Sequence, residues 1–294
     1  MTELSIIVCT RNRADTLLSC LQSIETSVAA QDDVDVELLV IDNGSTDDTA
    51  ALVRGWQQAA TVKSRLLNAD TPGLSEARNV GLSHAQGKFI AFTDDDCRVA
   101  PDYVIQIAAA YCDDDEPVIR GGRVELGDPL DLAFTIKSEL DRQEFHGGNP
   151  GGFVHGCNLT MSRTAVDRIG MFDVRLGAGK TIGAAEDTDY VYRAYRAGIR
   201  IFYDPTIVVY HHHGRRDVAE VKRLQSLYDL ADGALYAKYA LGDRALLLHI
   251  ARRIRNGVYE IFGGPKADEQ FDTSHRQVLR DNWRGAWLFW RAFR

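Results

Sequence analysis

"KFIAFTDDDCRVAPDY", residues 88–103, decides how the rest of the chain is read. Phe89 to Thr93 form a strand-like apolar run that ends on three consecutive carboxylates, Asp94, Asp95 and Asp96. Two unit charges about 4 Å apart repel by roughly 1 kcal/mol in water, and by about 4 kcal/mol at an effective dielectric near 20. Three of them at the end of a buried strand need compensation. Asp94 and Asp96 are two apart, so in an extended segment they point the same way. Such a pair suits a hard divalent cation, and Mg²⁺ commonly keeps waters and adds substrate phosphates. The competing reading is a solvated acidic turn, since Asp favours turns and caps.

Working outward, the segments before this stretch alternate. "LSIIVCT" (4–10) is a short β-branched run, the pattern of a fully buried strand. Leu17, Leu18, Leu21, Ile24 and Val28 then fall on one helical face. "VELLVID" (36–42) is a second strand, followed by a turn-rich segment in which Ser45, Thr46 or Asp47 caps the next helix. A third, short strand is expected within 63–70 and a helix over 74–85, with Gly87 beyond its end. Strands alternating with helices predict βαβ units and a mainly parallel sheet flanked by helices, an α/β fold. Ligands bind such sheets at the carboxyl ends of the strands. Thr10, Arg11, Asn12, Asp42 and Asp94–Asp96 all lie at such ends.

Beyond residue 100 the pattern is less regular. A helix is expected over 101–115 with an acidic end, a strand over 118–126, and a mobile Gly-rich loop over 146–156. A helix over 186–198 starts on Glu186 and Asp187, which favours its dipole. Residues 199–214 give two strand-like runs around Pro205. Glu186 and Asp187 also fit a general base, if one reaches an attacking hydroxyl. Arg78 reads either as a surface arginine or as a phosphate clamp. His211 and His213 alternate onto one face and read as metal ligands or as surface groups.

The chain has 294 residues with 45% hydrophobic and 26% charged content, enough for a sizeable core. Its net charge of −8 argues against nucleic acid as a partner. Residues 211–294 hold 15 Lys and Arg against 10 Asp and Glu, a balance of +5, and the remainder carries −13. The five cysteines show no C-x-x-C spacing and are odd in number, which predicts neither a zinc site nor a disulfide framework. Reduced thiols, the lack of a leader-like start and the lack of a long apolar run give the expectation of a cytoplasmic protein.

Six blocks together resemble a family 2 glycosyltransferase of the GT-A fold: "LSIIVCTRNRADTLLSCLQSI", "ELLVIDNGSTDDT", "PGLSEARNVGLSHAQGKFIAFTDDDCRVAPDY", "GCNLTMSRTAVDRIGMFD", "GAAEDTDYVYRAYRAGIRIFYDP" and "VVYHHHG". They run in the family's order over residues 4–214, and residues 215–294 fall outside them. The resemblance implies a GT-A catalytic domain over 1–214 and transfer of a sugar, with inversion, from a nucleoside-diphosphate sugar to a hydroxyl. A UDP-sugar is the implied donor, with GDP and dTDP as alternatives. The implied acceptor is a glycan, a lipid-linked oligosaccharide or a small molecule, in cell-surface polysaccharide or glycolipid assembly. Thr10, Arg11 and Asn12 would line the nucleoside, Asp42 would bond the base, and Arg78 would lie near the nucleotide end. Asp94, Asp95 and Asp96 match the D-x-D motif, with Asp96 the direct ligand of Mg²⁺ or Mn²⁺ and Asp94 near the ribose or the metal. Asp187, beside Glu186, matches the base. His211 or His213 matches a further metal ligand. Ala185 stands where the family more commonly has Gly.

Three rivals are weaker. A nucleotidyltransferase wants a glycine-rich loop after the first strand, and "CTRNRAD" has no glycine. A dinucleotide oxidoreductase wants G-x-G-x-x-G there. A binding module without catalysis has no need of intact Asp96, Asp187 and histidines. Residues 215–294 are expected to form a helical extension, with Leu224, Leu227, Leu230 and Leu235 in its core. Trp283, Trp287 and Trp290 form one helical stripe, beside Arg280, Arg284 and Arg291. That stripe is expected to pack on the catalytic domain, join a second copy, or lie on the inner membrane surface.

Overall fold

The structure is a computed structural model and describes residues 2–112 and 116–292. Three apolar runs and the more polar segment 63–68 become four parallel strands: β1 (Leu4–Thr10), β2 (Val36–Asp42), β3 (Lys63–Asn68) and β4 (Phe89–Asp94). Helices α1 (Leu17–Ala29), α2 (Thr49–Gln57) and α3 (Leu74–His84) connect them. Ile6, Ile7 and Val8 are wholly buried, each contributing about 1.5–3 kcal/mol. Leu18 instead sits at the rim of α1, partly exposed. The N-cap of α2 is Asp48, which makes no side-chain cap bond, rather than Ser45, Thr46 or Asp47; Asp47, one residue earlier, accepts the Thr49 amide at 3.0 Å. Thr10 lies opposite Asp42, and Cys9 lies opposite Asp94. The loops after β1, β2 and β4 therefore open on one edge.

The second half adds β5 (Cys97–Val99), α4 (Tyr103–Tyr111), β6 (Val118–Leu126), β7 (Gln143–Glu144), β8 (Asn158–Ser162), α5 (Arg163–Ile169), α6 (Glu186–Arg196) and β9 (Arg200–His211). The acidic end foreseen for α4, residues 113–115, lies outside the described residues. The sheet runs β3-β2-β1-β4-β8-β6-β9-β5, with β7 also on β9. Strand β8 was not visible in the sequence because "NLTMS" is half polar. All five residues are buried, and their polar groups are satisfied inside: Asn158 donates to the carbonyls of Arg123 and Ile207 at 2.9 and 3.0 Å. The two runs foreseen around Pro205 are one strand. Pairing with β6 jumps from Asp204 to Val208, so Pro205 sits in a bulge where its missing N–H costs no ladder bond. The Gly-rich loop is tethered: Asn149 donates to Asp232 at 3.2 Å, and the Tyr195 hydroxyl donates to the His146 carbonyl.

The extension forms α7 (Val218–Tyr239), α8 (Arg244–Ile261) and α9 (His275–Ala292). Helix α7 is fastened to the α/β part of the chain. Lys238 Nζ lies 2.6 Å from both Asp173 and Asp189, and Tyr239 donates to Asp189 at 2.7 Å. Of the four expected core leucines, Leu235 is fully buried, while Leu224, Leu227 and Leu230 are half-buried. The inner face of α9 is Val278, Asp281, Asn282 and Gly285. Trp283, Trp287 and Trp290 face away from this chain instead, which corrects the expectation that they pack on it.

Helices α7 and α9 cross backbone to backbone. A Cβ on Gly285 would stand 1.7 Å from the Leu230 carbonyl oxygen. Gly285→Ala therefore forces the helices apart and should lower unfolding free energy by about 3 kcal/mol. Urea denaturation measures this; an unchanged midpoint would mean that the crossing is looser than described.

Candidate active site

The three acidic residues stand at the end of β4 and in the turn that follows. Arg78 projects from α3 beneath them and is buried. Its Nη1 donates to Glu186 Oε1 at 2.7 Å, and its Nη2 lies 3.6 Å from Asp94 Oδ1. The guanidinium lies over the rings of Phe92 and Phe172 at 5.7 and 5.5 Å. One cation thus joins the β4 loop to the start of α6. Burial works against the charge on Arg78, but Glu186 and Asp94 hold it cationic. Burial outweighs the attraction of Arg78 at Glu186, and with Asp187 alongside it lifts that carboxyl to about 7.

Asp187 follows on the same turn. Its Oδ2 accepts the Gly156 amide at 2.8 Å and its Oδ1 accepts the Thr188 amide at 2.7 Å, which fixes the plane of the carboxylate. A Cβ on Gly156 would meet Arg78 Nη2 at 2.6 Å and Asp187 Oδ2 at 2.9 Å. Both groups therefore line the same space, and only glycine leaves it open. Ala185, just before the pair, holds φ at 68°. That left-handed conformation favours glycine, so the alanine there is strained by about 1 kcal/mol.

On the opposite wall, Asp96 Oδ1 lies 3.3 Å from His211 Nε2. Strand β5 pairs with β9 so that Cys97 sits opposite His211, which carries the imidazole to the acidic turn. Burial disfavours the charge on each, yet their contact holds the Asp96 carboxyl low and raises His211 to about 9. Asp95 Oδ1 lies 3.4 Å from Arg13 Nε, and Arg13 Nη2 lies 3.8 Å from Asp96 Oδ2. Burial lifts Asp95 to about 7, with Arg13 opposing and the neighbouring acids adding to the rise. Asp94 keeps 36% of its side chain open to the cleft. Enclosure raises its carboxyl, with Arg78 opposing.

The other foreseen residues surround this core. Thr10 and Asp42 are buried at their strand ends, and Arg11 is exposed. Asp42 Oδ1 accepts the Ser45 amide at 2.9 Å. Asn12 takes φ 54° and accepts the Thr46 amide at 2.7 Å, tying the loops after β1 and β2 together. His213 packs against His211 with ring centroids 5.0 Å apart, but its Nδ1 accepts the Arg215 amide at 3.0 Å and faces Asp131. The sequence reading did not single out Arg13, Gly156, Cys97 or Cys157 for this cleft. The first two act through loop geometry, which carries no sequence signal. The thiols of Cys97 and Cys157 lie within 4.8 Å of each other and of a His211 ring nitrogen, a grouping that spacing did not foretell. Burial, then Cys157, pushes the Cys97 thiol well up. These thiols pack behind His211.

The donors facing the cleft are carboxylate oxygens and imidazole nitrogen, and His211 Nδ1 has no hydrogen-bond partner among the described residues. Such a set fits Mg²⁺ or Mn²⁺.

Comparison with known proteins agrees. The enzyme that adds a β-1,3-glucosyl residue to GalNAc(5)-diNAcBac-PP-undecaprenol in Campylobacter jejuni is 37% identical over 97 residues, 33% of this chain and 30% of the relative. Matched stretches span 39% or less of this and the other leading curated relatives. Among solved structures, mannosyltransferase PcManGT of Pyrobaculum calidifontis with GDP-Man and Mn²⁺ aligns with TM-score 0.58 at 20% identity, covering 99% of this chain and 72% of that one. Staphylococcus aureus TarS 1–349 with UDP aligns with TM-score 0.56 at 19% identity, covering 100% and 93%. These likenesses fix the fold as GT-A. The sequence profile of glycosyl transferase family 2 matches residues 5–170, more than half of the chain, and the chain belongs to that family.

Proposed function

We propose that this chain transfers a sugar from a nucleoside-diphosphate sugar, a UDP-sugar first, to an acceptor hydroxyl with inversion. The observation that carries the reading is the pair of contacts made by Arg78, which put Asp94 and the Glu186–Asp187 turn on one cleft. The donor's diphosphate would lie along the acidic loop, with its nucleoside toward Thr10, Arg11, Asn12 and Asp42. Asp94, Asp96 and His211 would hold Mg²⁺ or Mn²⁺, which when bound neutralises charge on the leaving diphosphate. Mn²⁺ in the PcManGT structure supports that choice.

Asp187 receives the acceptor's proton. Two backbone amides hold its carboxylate still, so little reorganisation is needed as the proton arrives. Arg78 faces the developing negative charge from a buried site where its field is weakly screened. Glu186 keeps Arg78 in place. The acceptor enters over the 127–156 and 175–185 segments, and the Campylobacter relative supports a lipid-linked glycan as its class.

Asp187→Asn removes the proton acceptor and keeps one of the two amide contacts, because its NH2 group cannot accept the other N–H. Transfer from UDP-sugar should fall by about 10³-fold or more while UDP affinity changes less than about threefold. Product formation by mass spectrometry and calorimetry measure the two; undiminished transfer removes Asp187 from the mechanism. Asp96→Ala should abolish the Mn²⁺-dependent part of the thermal stabilisation by UDP, about 2–3 kcal/mol at saturating ligand. An unchanged Mn²⁺ dependence would contradict the assignment of Asp96.

A further inference from the structure

Helices α8 and α9 turn large apolar side chains outward. On α9, Trp283, Trp287 and Trp290 are 69%, 47% and 50% exposed. With Ala286 and Arg291 they line a shallow open groove. On α8, Ile254, Val258 and Tyr259 are at least half exposed, and Phe262 just past its end is 82% exposed. The helices touch where Gly257 meets Leu279. Exposed apolar surface on this scale marks an interaction site.

Charge selects the partner. Helices α8 and α9 together carry eight arginines against two acids, Glu260 and Asp281; Arg253 is paired with Asp229 and Asp232 of α7, which leaves seven arginines. Asp281 is buried and lies 3.2 and 3.5 Å from Arg280 and Arg284, so it offsets part of their charge, and the two helices still carry a surplus of arginines. Arg280 and Arg284, on the stripe beside the tryptophans, keep 63% and 57% of their side chains exposed. We propose that this face docks on an anionic lipid bilayer. Indole rings settle at the headgroup boundary, and arginine forks match lipid phosphates. A second copy fits worse. An antiparallel two-fold contact across the tryptophans would set the Arg280, Arg284 and Arg291 stripe beside its own copy, like charge against like. No helix among the described residues is long and apolar enough to cross a membrane, so the contact is with the surface.

The test is flotation of the full chain with vesicles of phosphatidylglycerol and phosphatidylcholine, with pure phosphatidylcholine as control. The comparison protein carries Trp283→Ser, Trp287→Ser and Trp290→Ser, sites exposed enough that its circular dichroism should not change. The chain should float with the anionic vesicles, less at 0.5 M salt, and the variant's partitioning should drop by about tenfold or more. Absence of flotation, equal flotation of the variant, or equal binding to pure phosphatidylcholine overturns the proposal. So does a tryptophan-dependent dimer in light scattering without vesicle binding, which assigns the face to a second copy. Transfer to a soluble acceptor is assayed separately, so loss of docking and loss of the transfer reading are distinguishable.

Discussion

The cleft depends on one buried cation. Arg78 lies under a strand end that carries three carboxylates and beside a helix start that carries two. Without a positive charge there, like charges would face each other in a partly enclosed space, where repulsion is several-fold stronger than in water. Arg78 lets both acidic turns face inward. Its fork serves Glu186 with one nitrogen and Asp94 with the other, and two aromatic rings brace its plane. Lysine, with a single ammonium, would not hold both.

Around that cation the two walls differ. On one side, Asp187 is fixed by backbone amides from two separate segments, α6 and the loop before β8. On the other, Asp96 is met by His211 from β9, delivered by a two-strand pairing with β5. The glycine at 156 and the left-handed alanine at 185 are the local costs of bringing these segments together. Both sit beside Asp187: Gly156 leaves space that a Cβ would fill, and Ala185 carries the backbone strain, with φ at 68°. The extension secures the same region from behind: Lys238 and Tyr239 of α7 both reach the buried Asp189, one turn into α6.

Much of this was legible in the sequence. Strands β1, β2 and β4 were visible because each is a short run of largely buried apolar residues bounded by turn formers, whereas β3, with no buried residue, showed only as a short strand within 63–70. Their polar ends located one wall of the cleft. The Glu186–Asp187 pair was visible as acids at a helix start. What escaped was whatever depends on tertiary pairing. Strand β8 hides its polar side chains in hydrogen bonds supplied by β6, β9 and the tyrosines of α4, so it showed no apolar signature. Pro205 looked like a break because the bulge that accommodates it exists only in the sheet. The partner of His211 could not be assigned between two histidines of equal chemistry; the register of β9 turns His211 to Asp96 and leaves His213 against Asp131. The tryptophan stripe was visible as a stripe, but not which way it faced.

The most direct measurement is a double-mutant cycle on Arg78 and Glu186, by urea denaturation of Arg78→Met, Glu186→Gln and the pair. Arg78→Met alone leaves buried carboxylates uncompensated and should cost about 3–5 kcal/mol. The double variant should lose at least about 1 kcal/mol less than the two single losses together. Strict additivity would mean that the two residues do not hold the cleft as a unit.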